Sequence, residues 1–166
     1  MVFGLLVLMQ SSLLSQKWTE QDIEIYNNFD DLEYIFEYSN DTTYLINFWA
    51  TWCGPCVKEM PYIESLKEEY ASEDFEIILV SLDFKKQIQS RLIPYLNKNN
   101  IQSKVVLLLD DKANDWIDKV DKNWTGAIPI TLIYNKSKRL FFETEFHSKE
   151  ELVNILNPIL KNKNYE

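Results

Sequence analysis

An α/β fold built on a mixed sheet is what this sequence predicts, and three observations carry the prediction. Apolar runs at 44–49, 75–82, 104–109 and 130–134 are suited to buried strands, and they alternate with stretches of helical spacing. The last run is followed by Asn135-Lys136-Ser137-Lys138 and a further run at 140–146, the pattern of an antiparallel hairpin. Both cysteines of the chain lie in Trp52-Cys53-Gly54-Pro55-Cys56-Val57, at the junction between one apolar run and the helix-like stretch that follows.

The elements follow in order. Residues 23–26 alternate and read as a short strand. Asp30-Asp31 starts a short helix with Leu32, Ile35 and Phe36 on one side. Residues 44–49 form the central strand, nearly continuous in apolar residues because both faces are covered. The helix from Cys56 to Tyr70 buries Val57, Met60, Ile63, Leu66 and Tyr70, and Pro61 inside it predicts a kink. Residues 75–82 are a second buried strand, and a helix over 86–97 is interrupted at Pro94. A strand at 104–109 and a helix at 113–120 form an extra pair ahead of Gly126-Ala127-Ile128-Pro129-Ile130. Ser148 with Glu151 three residues on is a capping box. It opens a closing helix whose inner face is Leu152, Ile155, Leu156, Ile159 and Leu160, strained near its end by Pro158. The tail, 161–166, is expected to fray.

Composition bounds the function. At 166 residues the chain is one domain, long enough for a proper core, with 46% hydrophobic and 14% aromatic content. A net charge of −9 argues against nucleic acid as a partner. Residues 1–16 contain no charge and hold a short apolar run followed by Gln10-Ser11-Ser12, which reads as a secretory signal peptide ahead of a domain at 17–166. The run is too short for a spanning helix. The alternative is a greasy terminal segment packed on the domain.

The cysteine pair carries the chemistry. A zinc site needs about four ligands, and the chain offers two cysteines and one histidine, His147, so no metal is expected. A disulfide across two residues closes too small a loop to staple a fold. Redox exchange remains. The start of a helix supplies free N–H groups and the positive end of its dipole, which lower a thiol pKa. Cys53 is therefore the expected nucleophile. Cys56, one turn on, is the resolving thiol. Pro55 gives up an N–H that a first turn does not use.

Phe48-Trp49-Ala50-Thr51-Trp52-Cys53-Gly54-Pro55-Cys56 resembles the active-site segment of the thioredoxin superfamily. The continuation Val57-Lys58-Glu59-Met60-Pro61 is similar to its TlpA/ResA branch of extracytoplasmic thiol-disulfide oxidoreductases. The resemblance implies a thioredoxin fold, with the extra helix–strand pair as an insertion before a cis-proline loop. It implies a cis Ile128–Pro129 bond facing the cysteines, where the backbone of Ile128 pairs with an extended substrate. Trp52, Gly54 and Pro55 complete that substrate surface. No cofactor beyond the Cys53–Cys56 pair is implied.

Proton transfer needs a separate group. Thioredoxins carry a buried Asp six residues before the first cysteine, and here that position is Asn47, a departure the TlpA/ResA branch shares. Glu59, three residues after Cys56 on the same helix face, is the expected substitute, taking the Cys56 proton. The alternative is one more charge on a helix rich in charges. His147 is expected to be a surface or capping residue.

The expected function is reduction of disulfides in cell-envelope client proteins, for example apocytochrome c, in the periplasm or another extracytoplasmic space. Gly-Pro between the cysteines matches thioredoxin, whose potential is about −270 mV. A membrane thiol-disulfide electron donor is implied as recharging partner, and nothing demands more than a monomer. Two rivals stay open: a peroxiredoxin-like peroxidase, and a non-catalytic peptide-binding module of the same fold. Thr51 stands two residues before Cys53, not three as in the peroxiredoxin run.

Overall fold

The computed structural model describes residues 17–160. The leader expected at 1–16 and the tail at 161–166 lie outside the described residues. The elements run β1 (Glu24–Tyr26), β2 (Thr43–Trp49), α1 (Gly54–Glu69), β3 (Phe75–Ser81), α2 (Ile93–Lys98), β4 (Lys104–Leu108), α3 (Ala113–Val120), β5 (Ile130–Tyr134), β6 (Arg139–Phe142) and α4 (Lys149–Leu160). Among the described residues six strands form one sheet in the order β1-β4-β3-β2-β5-β6. β2 runs parallel to β3 and antiparallel to β5, and the β5–β6 hairpin is antiparallel, so the sheet is mixed as expected.

Period-two alternation divides the core. Leu45, Trp49, Ile77, Leu79, Val105, Leu107 and Ile133 face α1, α4 and the helical segment at 88–98. Tyr44, Ile46, Phe48, Val80, Val106 and Leu132 face an aromatic layer around α3 and the turns before β2. There Phe29 stacks on Trp116 with centroids 5.1 Å apart. Every β2 residue is buried, including Thr43 and Asn47. Asn47 lies between Leu45 and Trp49 along the strand, so the alternation puts it on the α1 side.

Several expectations need correction. The short helix expected after Asp30 is a pair of 3₁₀ turns, Phe29–Asp31 and Glu33–Phe36. Phe29, Leu32 and Ile35 are spaced by three, which a 3₁₀ turn places on one side, and all three are buried. The helix expected over 86–97 is a 3₁₀ turn at Lys85–Gln87, a π turn at Ile88–Leu92 and then α2. Pro94 cannot donate to the carbonyl of residue 90 and its ring crowds that position, so the regular ladder is broken upstream of it. β6 stops at Phe142 instead of reaching 146. Beyond it Glu143 turns to bind the 125–127 backbone, and Phe146 tucks into the core against Phe142.

α1 begins at Gly54, two residues earlier than expected, and Val57 is half-buried. Its inner face is Cys56, Glu59, Met60, Ile63 and Leu66, with Pro61 on the exposed side. The Ser148–Glu151 cap is only half of a capping box. The Ser148 hydroxyl accepts the Glu151 N–H, but the Glu151 carboxylate accepts from His147, the residue before the cap.

Candidate redox site

The site forms where β2 hands over to α1. The chain leaves the sheet at Trp49, turns through Ala50 and Thr51, and enters the helix with Cys53 as its N-cap. Cys53 and Cys56 are joined in a disulfide. The Cys56 N–H, one of the helix's free first-turn donors, points at Cys53 Sγ at 3.3 Å. The two sulfur-bearing residues are unequal, as the sequence suggests: Cys53 is 6% exposed and Cys56 is 0%. Only the Cys53 side meets solvent, so an incoming partner reaches that sulfur first.

The 126–129 loop stands opposite. The Ile128–Pro129 bond is cis, and Cys53 Sγ lies 3.6 Å from the Ile128 carbonyl oxygen. Glu143, just past β6, fixes this loop by accepting from the Thr125 N–H (3.1 Å), the Thr125 hydroxyl (2.6 Å) and the Ala127 N–H (3.2 Å). The Trp124 indole N–H donates to the Ala127 carbonyl at 2.7 Å. Gly126 sits at φ +96°, where a Cβ is strained, so this turn of the loop favours glycine. Gly54 has no such constraint: a Cβ there meets nothing. Trp52, Gly54 and Pro55 are exposed, Ile128 is half-buried and Pro129 is buried.

Behind the disulfide lies a buried carboxyl. Glu59, fully buried, accepts from Asn47 Nδ2 on Oε1 at 2.8 Å and from the Phe146 N–H on Oε2 at 2.9 Å. Burial is the main influence on its titration and pushes its pKa up to about 7; the Phe146 and Asn47 bonds pull it down, and the Glu145 charge adds to the rise. Neither oxygen is bonded to a sulfur. Asn47, at the position of the thioredoxin Asp, does not titrate but holds the group that does. Its Nδ2 also faces Thr131 Oγ1 at 3.0 Å and the Ile130 carbonyl at 3.2 Å. Its Oδ1 is buried with no partner.

Glu143, Trp124, Asp83, Ser81 and Phe84 escaped the sequence reading. Asp83, 1% exposed, accepts from the Thr51 N–H at 3.0 Å, the Thr51 hydroxyl at 2.5 Å and the Ser81 hydroxyl at 2.9 Å. Trp49 pairs with Ser81 in the sheet, so two residues further on Thr51 meets Asp83. The available signal was the Ser81-Leu82-Asp83 spacing at the end of a buried strand. Phe84 stacks on Trp52 with ring centroids 6.4 Å apart. His147 is exposed, and its ring lies 3.8 Å from a Glu145 carboxylate oxygen. Among the described residues no cluster suited to a metal ion occurs.

A stretch of 49 residues is 47% identical to the thiol-disulfide oxidoreductase ResA of Oceanobacillus iheyensis, covering 30% of this chain and 26% of that protein. Over 91 residues the chain is 29% identical to the ResA of Halalkalibacterium halodurans, covering 55% of this chain and 47% of the relative. The chain thus spans between about a quarter and a half of these relatives' lengths. Among solved structures, a secreted thiol-disulfide isomerase from Corynebacterium glutamicum superimposes with a TM-score of 0.60 at 16% identity, covering 80% of this chain and 74% of that one. That likeness shows the thioredoxin fold. The Redoxin family model matches residues 36–125, more than half of the chain and both cysteines. On that match the chain belongs to the Redoxin family, as a TlpA/ResA-like member of the thioredoxin superfamily.

Proposed function

We propose that the protein is a thiol-disulfide oxidoreductase that reduces disulfides in client proteins through Cys53 and Cys56. The observation that carries this reading is the disulfide capping α1, with Cys53, 6% exposed against 0% for Cys56, as its accessible end and the cis-proline loop 3.6 Å away. In the reduced form, the Cys53 thiolate attacks one sulfur of the client disulfide. An S–S bond forms between Cys53 and the client as the client's own S–S bond breaks and its second sulfur leaves as a thiolate, which takes up a proton. The Cys56 thiol then loses its proton, and its thiolate attacks Cys53 Sγ. This closes the intramolecular disulfide and releases the client's other thiol. Two electrons pass to the client, and an external dithiol donor must return two to the protein.

Glu59, one helical turn from Cys56, is the base we assign to the Cys56 proton. A carboxyl with a pKa of about 7 suits proton exchange near neutrality. Trp52, Gly54, Pro55 and Ile128 form the surface that receives the client, with the buried Pro129 and its cis bond setting the Ile128 backbone. We assign the protein to an extracytoplasmic space with a membrane dithiol donor, and oxidised cell-envelope proteins such as apocytochrome c as the client class. The uncharged segment 1–16 and the secreted structural relative support this. No helix of the described residues is long and apolar enough to cross a membrane.

Equilibration in dithiothreitol and glutathione buffers, followed by thiol trapping, tests the direction. A potential near or below about −270 mV supports a reductant, whereas one near −120 mV makes the protein a disulfide donor. Failure of the reduced protein to open any protein disulfide, with turnover of hydrogen peroxide instead, overturns the reading in favour of a peroxidase.

A further inference from the structure

Three large hydrophobic side chains are exposed among the described residues: Tyr34, Trp52 and Phe84. Tyr34 is accounted for by its neighbours, since its hydroxyl bonds to Tyr26 and its ring packs on Tyr26 and Tyr38. Trp52 and Phe84 have only each other as ring partners among the described residues. They are 47% and 56% exposed, and their rings lie 21° from coplanar. Apolar surface left in water beside a reactive group marks a place where something apolar is received.

The two rings also stand on fixed backbone. The residue before Trp52 is Thr51 and the residue before Phe84 is Asp83, and these two are joined by two hydrogen bonds, from the Thr51 N–H and hydroxyl to the buried carboxylate. The Leu82 N–H donates to the Trp49 carbonyl at 2.8 Å, and the Gln87 N–H to the Phe84 carbonyl at 2.7 Å. A platform held this way loses little conformational freedom when it is covered. Trp52 is one residue from Cys53, so whatever covers the rings lies beside the attacked disulfide.

Charge narrows the partner. Lys85 and Lys86 follow Phe84 directly, are exposed, and make no ion pair within 4 Å among the described residues. The molecule as a whole carries −9. A segment with negative charge is repelled by most of this surface and attracted at this corner, which orients its approach.

We propose that Phe84 and Trp52 form a client-selecting subsite for a bulky apolar side chain next to the client's disulfide cysteine, with Lys85 and Lys86 favouring acidic residues beyond it. The proposal rests on the thiol-disulfide exchange reading and adds the class of segment that reading leaves open. Phe84 and the two lysines act as specificity residues, with no part in the bond changes.

The test is the rate of reduction of short peptides, each with one intramolecular disulfide, by the reduced protein in stopped flow. Placing Phe instead of Ala beside the cysteine is expected to raise the second-order rate constant about tenfold, the equivalent of burying one apolar side chain partly. Phe84→Ala is expected to bring that ratio close to one, while Phe84→Leu keeps most of it. Peptides flanked by Glu are expected to react faster than those flanked by Lys at low salt, with the order reversed in K85E/K86E. Equal rates for the Phe and Ala peptides with wild-type protein, or an unchanged ratio in Phe84→Ala, overturn the proposal while leaving disulfide exchange standing. Hydroxyethyl disulfide, too small to reach the subsite, separates the two levels: if the wild type does not reduce it either, the exchange reading itself fails and takes the proposal with it.

Discussion

Glu59 is fully buried with no cation bonded to it, and its environment decides both a proton and a stability question. Burial holds its pKa near 7, against an ordinary value of 4.5. Below about pH 7 the carboxyl is protonated and cannot accept the Cys56 proton; above it the carboxylate can. The rate of mixed-disulfide resolution is therefore expected to rise through pH 7 in the wild type and to lose that rise in Glu59→Gln, measured by quench and mass spectrometry on a trapped mixed disulfide. The same shift acts on folding. Between pH 4.5 and 7 the folded chain holds a proton on Glu59 that the unfolded chain has released. The stabilisation from this group is thus complete below 4.5 and is lost as pH rises through about 7, a change of roughly 3 kcal/mol. Glu59→Gln removes that slope. Urea unfolding at pH 5 and pH 8 is expected to show a smaller fall for the variant than for the wild type.

At the level of elements, the β2–α1 junction works because β3 ends in step with it. Asp83 gathers three donors from Thr51 and Ser81, and through Thr51 it sets where Cys53 enters α1. Asp83→Ala leaves those donors without their acceptor in a buried place, so a loss of roughly 3 kcal/mol is expected by chemical denaturation. A slower attack by Cys53 on a small disulfide is expected with it. This clamp was poorly legible in the sequence. Two polar residues at the end of a strand look like the start of a loop, and only the register of β2 on β3 joins Asp83 to Thr51. The Cys53–Cys56 pair, the helix behind it and the proline opposite were legible, because a motif fixes their local geometry. Glu59 was legible as a face position one turn from Cys56. Its partner Asn47 was read only as a missing acid, since its contacts with Glu59 and Thr131 come from separate elements. The turns at 29–36 and 85–92 eluded helical periodicity for a related reason. A spacing of three and a proline shape them more than a spacing of 3.6 does.

Across the whole molecule, alternation of strand and helix showed the class of fold, and the hairpin at 130–142 showed that the sheet is mixed. Strand order was not legible, because apolar runs do not say which neighbour each takes. The inserted β4 lies between β1 and β3, so it is not an appendage at an edge. Val106 faces Glu24 of β1 on one side and Val80 of β3 on the other, while Ile25 in β1 pairs only with β4. β1 is short, partly exposed and has one partner, so its loss removes little of the core. β2 and β3 carry the buried centre and the redox turn. Backbone amides of β2 and β3 are therefore expected to exchange with deuterium only through global unfolding, and those of β1 and β6 through local opening. A proline in each of two strands separates these levels. Ile25→Pro is expected to speed exchange in β1 and along the facing edge of β4, with the disulfide still reducible at the wild-type rate. Val106→Pro cuts the sheet from within and is expected to cost about 3 kcal/mol or more, seen as faster exchange in every strand. If Val106→Pro instead leaves β2 and β3 as protected as before, β4 is a peripheral addition and the redox turn stands on β2 and β3 alone.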